Sequence, residues 1–342
     1  MIMEIKKRII YSLVVFTIIL LLLNALLDSQ NTNYNREAEV GGSSLSRIKI
    51  EQSFEKTLSN YGIKNNWIKK KPKREKQYDS LKYKYEIEVP SSVPIPMIIK
   101  ELSLKLKNEN ISLTSKEEKI NGLTKLRIKS NNKLKLLADL KYNTSLQRSF
   151  SSIAFILTDV ESLGNDELKI LLAIPIKFGV LLPLRTSSIN IAEKILAAKR
   201  NYFINLDDDG DKVSFELDED LGINELKRNI KSIVSSFNTP RKYFISKKRT
   251  GFSNSFINFL SDEFRKRNRE ILKLDLFLKL KGEDARDLNS LLNFHLNKLP
   301  TGKSKLFFIS VNDWENIQPV LNSYIKKGNK IVLPTKLFQH PF

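Results

Sequence analysis

Hydrophobic positions fall into three patterns along the chain, and each predicts a different kind of structure. From Ile9 to Leu27 the residues are almost all apolar, broken only by Tyr11, Ser12, Thr17 and Asn24. At ~1.5 Å rise per residue such a helix crosses a hydrocarbon core of about 30 Å. Lys6, Lys7 and Arg8 precede the stretch and Asp28 follows it, so the excess of positive charge predicts a cytoplasmic tail at 1–8, a signal-anchor at 9–27 and an extracytoplasmic remainder. No small-x-small site follows in Leu26-Leu27-Asp28-Ser29-Gln30, which argues against cleavage. Residues 28–77 read as a flexible, basic tether: Asn and Ser are frequent, Gly41-Gly42-Ser43-Ser44 buries nothing, and a basic run extends from Lys64 to Lys76. Within it, Ile48, Ile50, Phe54 and Leu58 give residues 47–62 the spacing of a short amphipathic helix.

The second pattern, over 78–148, predicts a small α+β domain. Leu81, Tyr83, Tyr85, Ile87 and Val89 alternate with charged residues, as in a strand with one face on a core. Pro90, Pro94 and Pro96 end that strand, 98–106 has helical spacing, and short strands are expected near 111–113, 120–128 and 134–140. The expectation is one helix on an antiparallel sheet. No nucleophile, acid pair or metal spacing occurs there.

The third pattern, over 151–338, is of short apolar runs separated by helical segments, which predicts a parallel sheet of strand-helix units. Seven runs, at 153–157, 178–182, 202–206, 242–245, 271–278, 306–311 and 330–333, predict an α/β fold with a seven-stranded β/α barrel. Helices are expected around 191–199, 225–237, 255–267, 288–299 and 317–326.

Composition narrows the chemistry. The chain lacks cysteine, which excludes disulfides, thiolate metal sites and a cysteine nucleophile. Its two histidines are His295 and His340, neither at an expected strand end. The formal charge of +20 is spread along the whole chain among abundant Asn and Ile, so it reads as a compositional bias and no nucleic-acid partner is expected. The run from Lys64 to Lys76 suits either a solvated linker or contact with anionic glycans or lipid headgroups.

In parallel α/β sheets ligands bind beyond the C-terminal strand ends, so the residues there carry the functional signal. The segments Ile153-Ala-Phe-Ile-Leu-Thr158-Asp159, Ile174-Pro-Ile-Lys-Phe-Gly-Val-Leu-Leu-Pro183, Leu306-Phe-Phe-Ile-Ser-Val-Asn312 and Ile331-Val-Leu-Pro334 stand in the order and spacing of strand ends. In these, residues 151–338 resemble the divergent polysaccharide deacetylase family. That resemblance implies a barrel with metal-assisted deacylation, an aspartate base, an aspartate metal ligand and histidines after later strands. Here Thr158 stands where the base is implied and Asp159 where the metal-ligand aspartate is. Asn205 and Asn312 replace two histidines, and Ser246 to Gly251, containing Lys247, Lys248 and Arg249, replaces a histidine segment. Asn carbonyls are poor zinc ligands, so a degenerate, noncatalytic domain is expected, with no cofactor. The alternative is a metal-dependent deacetylase with an altered ligand set.

Three further features compete for function. Asp207, Asp209, Asp211 and Asp218 partly follow the ligand spacing of a calcium loop, but Lys212 stands at the turn position and Asp218 where such loops use Glu. A solvated turn is the other reading. Trp314, like Trp67, suits either packing or stacking on a sugar ring. Lys247, Lys248 and Arg249 suit either a solvated loop or an anionic ligand. Together these predict an inner-membrane-anchored envelope protein, single-pass with its domains outside, that binds or scaffolds cell-wall or anionic envelope polysaccharide.

Overall fold

The computed structural model describes residues 45–72, 81, 83–107, 110–148, 150–206, 211–246 and 250–338. The expected tail, the apolar stretch 9–27, and residues 28–44 and 73–77 of the expected tether lie outside the described residues; among the described residues no helix is long and apolar enough to cross a membrane. The chain forms two compact units, Met1–Gln147 and Arg148–Phe342.

In the first unit, part of the expected tether is folded. Ser46 caps helix α1 (Arg47–Asn60) by accepting from the Lys49 amide at 3.4 Å, and Ile50, Phe54 and Leu58 are fully buried. A single 3-10 turn, Asn65–Trp67, leads into strand β1 (Ile68–Pro72). There Lys69, Lys70 and Lys71 pair with Glu88, Glu55 and Glu86 at 3.9, 2.7 and 2.8 Å. A lysine run looks like linker because charge hides the strand period; an edge strand tolerates it because its exposed side chains reach neighbouring carboxylates. Trp67 is buried, so packing accounts for it.

β1 is the edge of a five-stranded sheet containing β2 (Tyr83–Pro90), β3 (Ile111–Glu117), β4 (Thr124–Ser130) and β5 (Lys133–Asn143), in the order β1-β2-β5-β4-β3. The sheet is mixed and not purely antiparallel, because β2 and β5 run parallel. Helix α2 (Ile95–Lys105), with Pro96 in its first turn, joins α1 over the core face, so two helices cover it where one was expected. Tyr85, Ile87 and Val89 of β2 meet Leu126 and Ile128 of β4 and Leu136, Ala138 and Leu140 of β5 there. Ile120, expected in a strand, is 90% exposed in the turn before β4.

The second unit is a curled parallel α/β sheet. Its strands are β6 (Ser152–Thr158), β7 (Gly179–Pro183), β8 (Asn201–Asn205), β9 (Lys242–Ile245), β10 (Glu270–Lys273), β11 (Leu278–Leu280) and β12 (Ser304–Ser310), in the order β10-β9-β8-β7-β6-β12-β11. A short β13 (Lys330–Ile331) pairs with the start of β6. The single strand expected over 271–278 is thus two strands at opposite edges of the sheet, joined through one 3-10 turn, Leu274–Leu276. Four residues separate Lys273 from Leu278, so at about 3.3–3.6 Å per residue the edges lie within roughly 18 Å. The sheet must curl, and no pairing joins its two edges among the described residues, so the expected seven-stranded barrel takes the form of a half-barrel.

Alternation sorts each strand between two cores. Phe155, Leu157, Val180, Leu182, Ile204, Tyr243 and Ile309 pack outward on the helices α3 (Asn165–Ala173), α4 (Ser187–Ala197), α5 (Ile223–Ser236), α6 (Asn254–Arg265), α7 (Ala285–Lys298) and α9 (Gln318–Lys326), which follows the short α8 (Val311–Trp314). Ala154, Ile156, Leu181, Phe203, Phe244, Leu306 and Phe308 point inward and meet Leu337 of α10 (Pro334–Leu337). The concave side is therefore filled largely by apolar side chains.

Candidate functional site at the C-terminal strand ends

The same alternation puts Thr158 on the inner face with Ala154 and Ile156, and Asn205 on that face with Phe203. They line one cavity of about 210 Å³ with Asp159, Glu161, Arg185 and Lys279. Leu181, Leu274, Phe277 and Phe308 give it an apolar floor.

Asp159 adopts a left-handed backbone, φ 63° and ψ 22°, as it turns the chain from β6 into the 3-10 turn Val160–Ser162. Aspartate tolerates that region better than most residues. Thr158 Oγ1 donates to Asp159 Oδ2 at 2.9 Å, and Ser162 Oγ donates to the Asp159 carbonyl at 2.7 Å. The threonine hydroxyl thus orients the exposed carboxylate; at neutral pH it does not act as a base. Asn205 is 6% exposed, and its Oδ1 is buried with no hydrogen-bond partner among the described residues. A buried acceptor left so costs about 1–3 kcal/mol, which a donor from a ligand would recover. Ser246, the residue after β9, is buried and donates to Asp275 Oδ1 at 2.8 Å.

Not all of the expected residues converge. Asn312 does not line the cavity: β12 ends at Ser310 and α8 begins at once, carrying Asn312 to an exposed position. Trp314 is 1% exposed and packs edge-to-face on Phe155 and Phe178, with ring centroids at 5.3 and 5.7 Å, in the outer core. Of the two readings of Trp314, packing is the one its position fits, because the indole lies on the helix side of the sheet. Of the aspartates compared with a calcium loop, Asp211 Oδ1 accepts from the Thr186 amide and hydroxyl at 2.8 and 3.0 Å, at the start of α4. Asp218 accepts from the Asp220 amide in its own turn. Asp207 and Asp209 lie outside the described residues, as do Lys247, Lys248, Arg249 and His340.

Among the described residues the donor set, Asp159 and Glu161 with the neutral Thr158 and Asn205, falls short of the three strong protein ligands a catalytic zinc needs. Among the described residues no group of three His, Cys, Asp or Glu side chains is placed to hold a metal. The described imidazole, His295 on α7, has its Nδ1 3.2 Å from Lys305 Nζ, at the N-terminal end of β12 and so at the opposite end of the sheet. Partial burial, then the charges of Lys305 and Lys298, push its pKa down.

Sequence reasoning missed Glu161, Arg185, Lys279 and Phe277. The rule of reading beyond strand ends reaches Arg185, two residues after β7. It also reaches Lys279, the first residue beyond the run expected over 271–278, which lies instead within β11 because that run is two strands.

No protein-family model matches this chain, and no curated protein matches it in sequence. Among solved structures, the chain is similar to a CE4 family pseudoenzyme from Bacillus anthracis at 13% identity and a TM-score of 0.38, covering 69% of this chain and 93% of that one. It is similar, with the same TM-score, to a mutant of that pseudoenzyme and to a mutant with restored enzymatic activity, at 12% and 13% identity, each match covering 69% of this chain and 96% of the other.

Proposed function

We propose that the second unit is a noncatalytic, polysaccharide-deacetylase-like half-barrel that binds cell-envelope polysaccharide at its C-terminal strand ends, held outside the cytoplasmic membrane by the apolar segment 9–27. The observation that carries this reading is the makeup of the cavity. Thr158 and Asn205 occupy the inward strand-end positions, Asp159 stands beside them, and the described imidazole is at the other end of the sheet. Such a set orients and hydrogen-bonds, and among the described residues it falls short of the three strong ligands that metal-assisted attack needs. Two carboxylates, Asp159 and Glu161, and two cations, Arg185 and Lys279, over an apolar floor suit a sugar ring, which presents hydroxyls at its rim and C–H groups on its faces. At about 210 Å³ the cavity is below the usual size for drug-like ligands and admits a single ring or substituent.

The test uses the full-length chain purified from membranes with acetylated cell-wall glycans. The expected result is glycan retention without acetate release or stoichiometric zinc, weakened in Asn205→Leu. Acetate release that disappears in Asp159→Ala would overturn the noncatalytic reading in favour of a deacetylase with an altered ligand set. Retention unchanged in Asn205→Leu and Lys279→Gln would remove the cavity from the binding.

A further inference from the structure

A second, larger groove crosses the opposite end of the sheet. With a volume of about 910 Å³, it runs over Asn201, Lys242 and Glu270, the first residues of β8, β9 and β10. Phe203 and Phe338 give it apolar wall, and Asn201, Thr239, Asn268 and Thr335 supply amides and hydroxyls. Its charge is one-sided: Arg241, Lys242, Arg265 and Arg269 line it against a single carboxylate, Glu270.

Two of these four cations have a carboxylate partner and two have none among the described residues. Lys242 pairs with Glu270, and Arg265 pairs with Asp262 at 2.9 Å, where both side chains are mostly exposed and such a pair contributes little. Arg269 donates to the main-chain carbonyls of Asn238 at 2.6 Å and Asn268 at 3.2 Å, which fix the guanidinium without cancelling its charge. Its Nε is buried with no partner among the described residues. Arg241 is exposed and makes no ion pair among the described residues. Asn268, with φ 58°, reverses the chain after α6 and brings Arg269 to the start of β10, near the strand that Arg241 precedes.

We propose that this groove is a binding site for a phosphate-bearing sugar. Guanidinium groups approach it from three elements: the loop before β9, the end of α6 and the turn into β10. A tetrahedral, doubly charged oxyanion can accept from several such forks, whereas a planar carboxylate is satisfied by one. The neutral amides and hydroxyls match sugar hydroxyls, and the volume lies in the range of small-ligand sites. The site shares no lining residue with the cavity at the other strand ends, so it stands or falls independently of the function proposed above.

The experiment is calorimetric titration of the full-length chain in detergent with glucose 1-phosphate and, separately, with poly(glycerol phosphate). These distinguish a small phosphomonoester from a phosphodiester polymer. Arg241→Gln with Arg265→Gln removes two exposed cations, and Lys116→Gln with Lys129→Gln removes two exposed cations from the first unit. Binding of glucose 1-phosphate, weakened about tenfold or more by the arginine pair and within about twofold of wild type in the lysine pair, supports the site, whereas binding of poly(glycerol phosphate) alone overturns the choice of a phosphate-bearing sugar. Equal loss in both double variants marks unspecific charge attraction and overturns the proposal, as does the absence of binding by the wild-type chain. An oligogalacturonate that binds the groove more tightly than either phosphate probe overturns the choice of phosphate. Unchanged thermal unfolding midpoints in both pairs keep the comparison free of folding effects.

Discussion

Residues of the same chemical type have opposite roles here because of the side of the sheet they face. Trp314 has the composition of a sugar-stacking residue, but it lies against Phe155 and Phe178 in the outer core. Trp314→Ala is therefore expected to destabilise the second unit by about 3–5 kcal/mol, as removal of a large core aromatic does. Thermal unfolding checks it: a midpoint unchanged from wild type would return Trp314 to the surface. Asn205 is the reverse case. Its identity suggests only a lost histidine, whereas its burial and orphaned Oδ1 make it an acceptor waiting for a donor. Thr158 and Asp159 were legible as a strand-end pair because β6 is uniformly apolar up to them. Asn312 was not, since its displacement depends on where β12 hands over to α8.

At the level of elements, hydrophobic period was a better guide than charge. The apolar runs at β6, β8 and β9 stand within a residue or two of their expected places, since buried parallel strands read as continuous hydrophobic stretches. The lysine-rich run misled because β1 has only one half-buried residue, Ile68, and its register on β2 comes from pairing distant in sequence. A consequence follows for dissection. A fragment starting at residue 45 keeps α1 and β1 and is expected to show a cooperative thermal transition for the first unit. One starting at residue 78 loses Ile50, Phe54 and Leu58 from that core and is expected to lose the transition, as far- and near-ultraviolet circular dichroism would record. Equal cooperativity in both would restore residues 45–77 to a linker.

For the whole second unit, the decisive feature is that the sheet curls without closing and is filled from within. Phe203, Phe244 and Phe308 form edge-to-face contacts inside it, and Leu337 of α10 completes the inner core. Gly179 permits this close approach, since a Cβ there would stand 2.8 Å from Phe203 Cε2 and 3.0 Å from Pro334 Cγ. Leu337→Ala is expected to cost about 2–5 kcal/mol, read as a lower thermal midpoint, although α10 is only four residues long. A surface-like cost under about 0.5 kcal/mol would mean that α10 does not hold the inner core. By itself the sequence determined the kinds of element, the change from α+β to parallel α/β near residue 150, and the poverty of imidazole, because these follow from local period and composition. Only the tertiary structure decided that one apolar run splits between the two edges of the sheet, which strand-end residues share a cavity, and that arginines from three elements meet over the N-terminal strand ends. Those outcomes depend on which strands pair and which face each side chain takes, and a one-residue change in register or strand end moves a side chain from one core to the other.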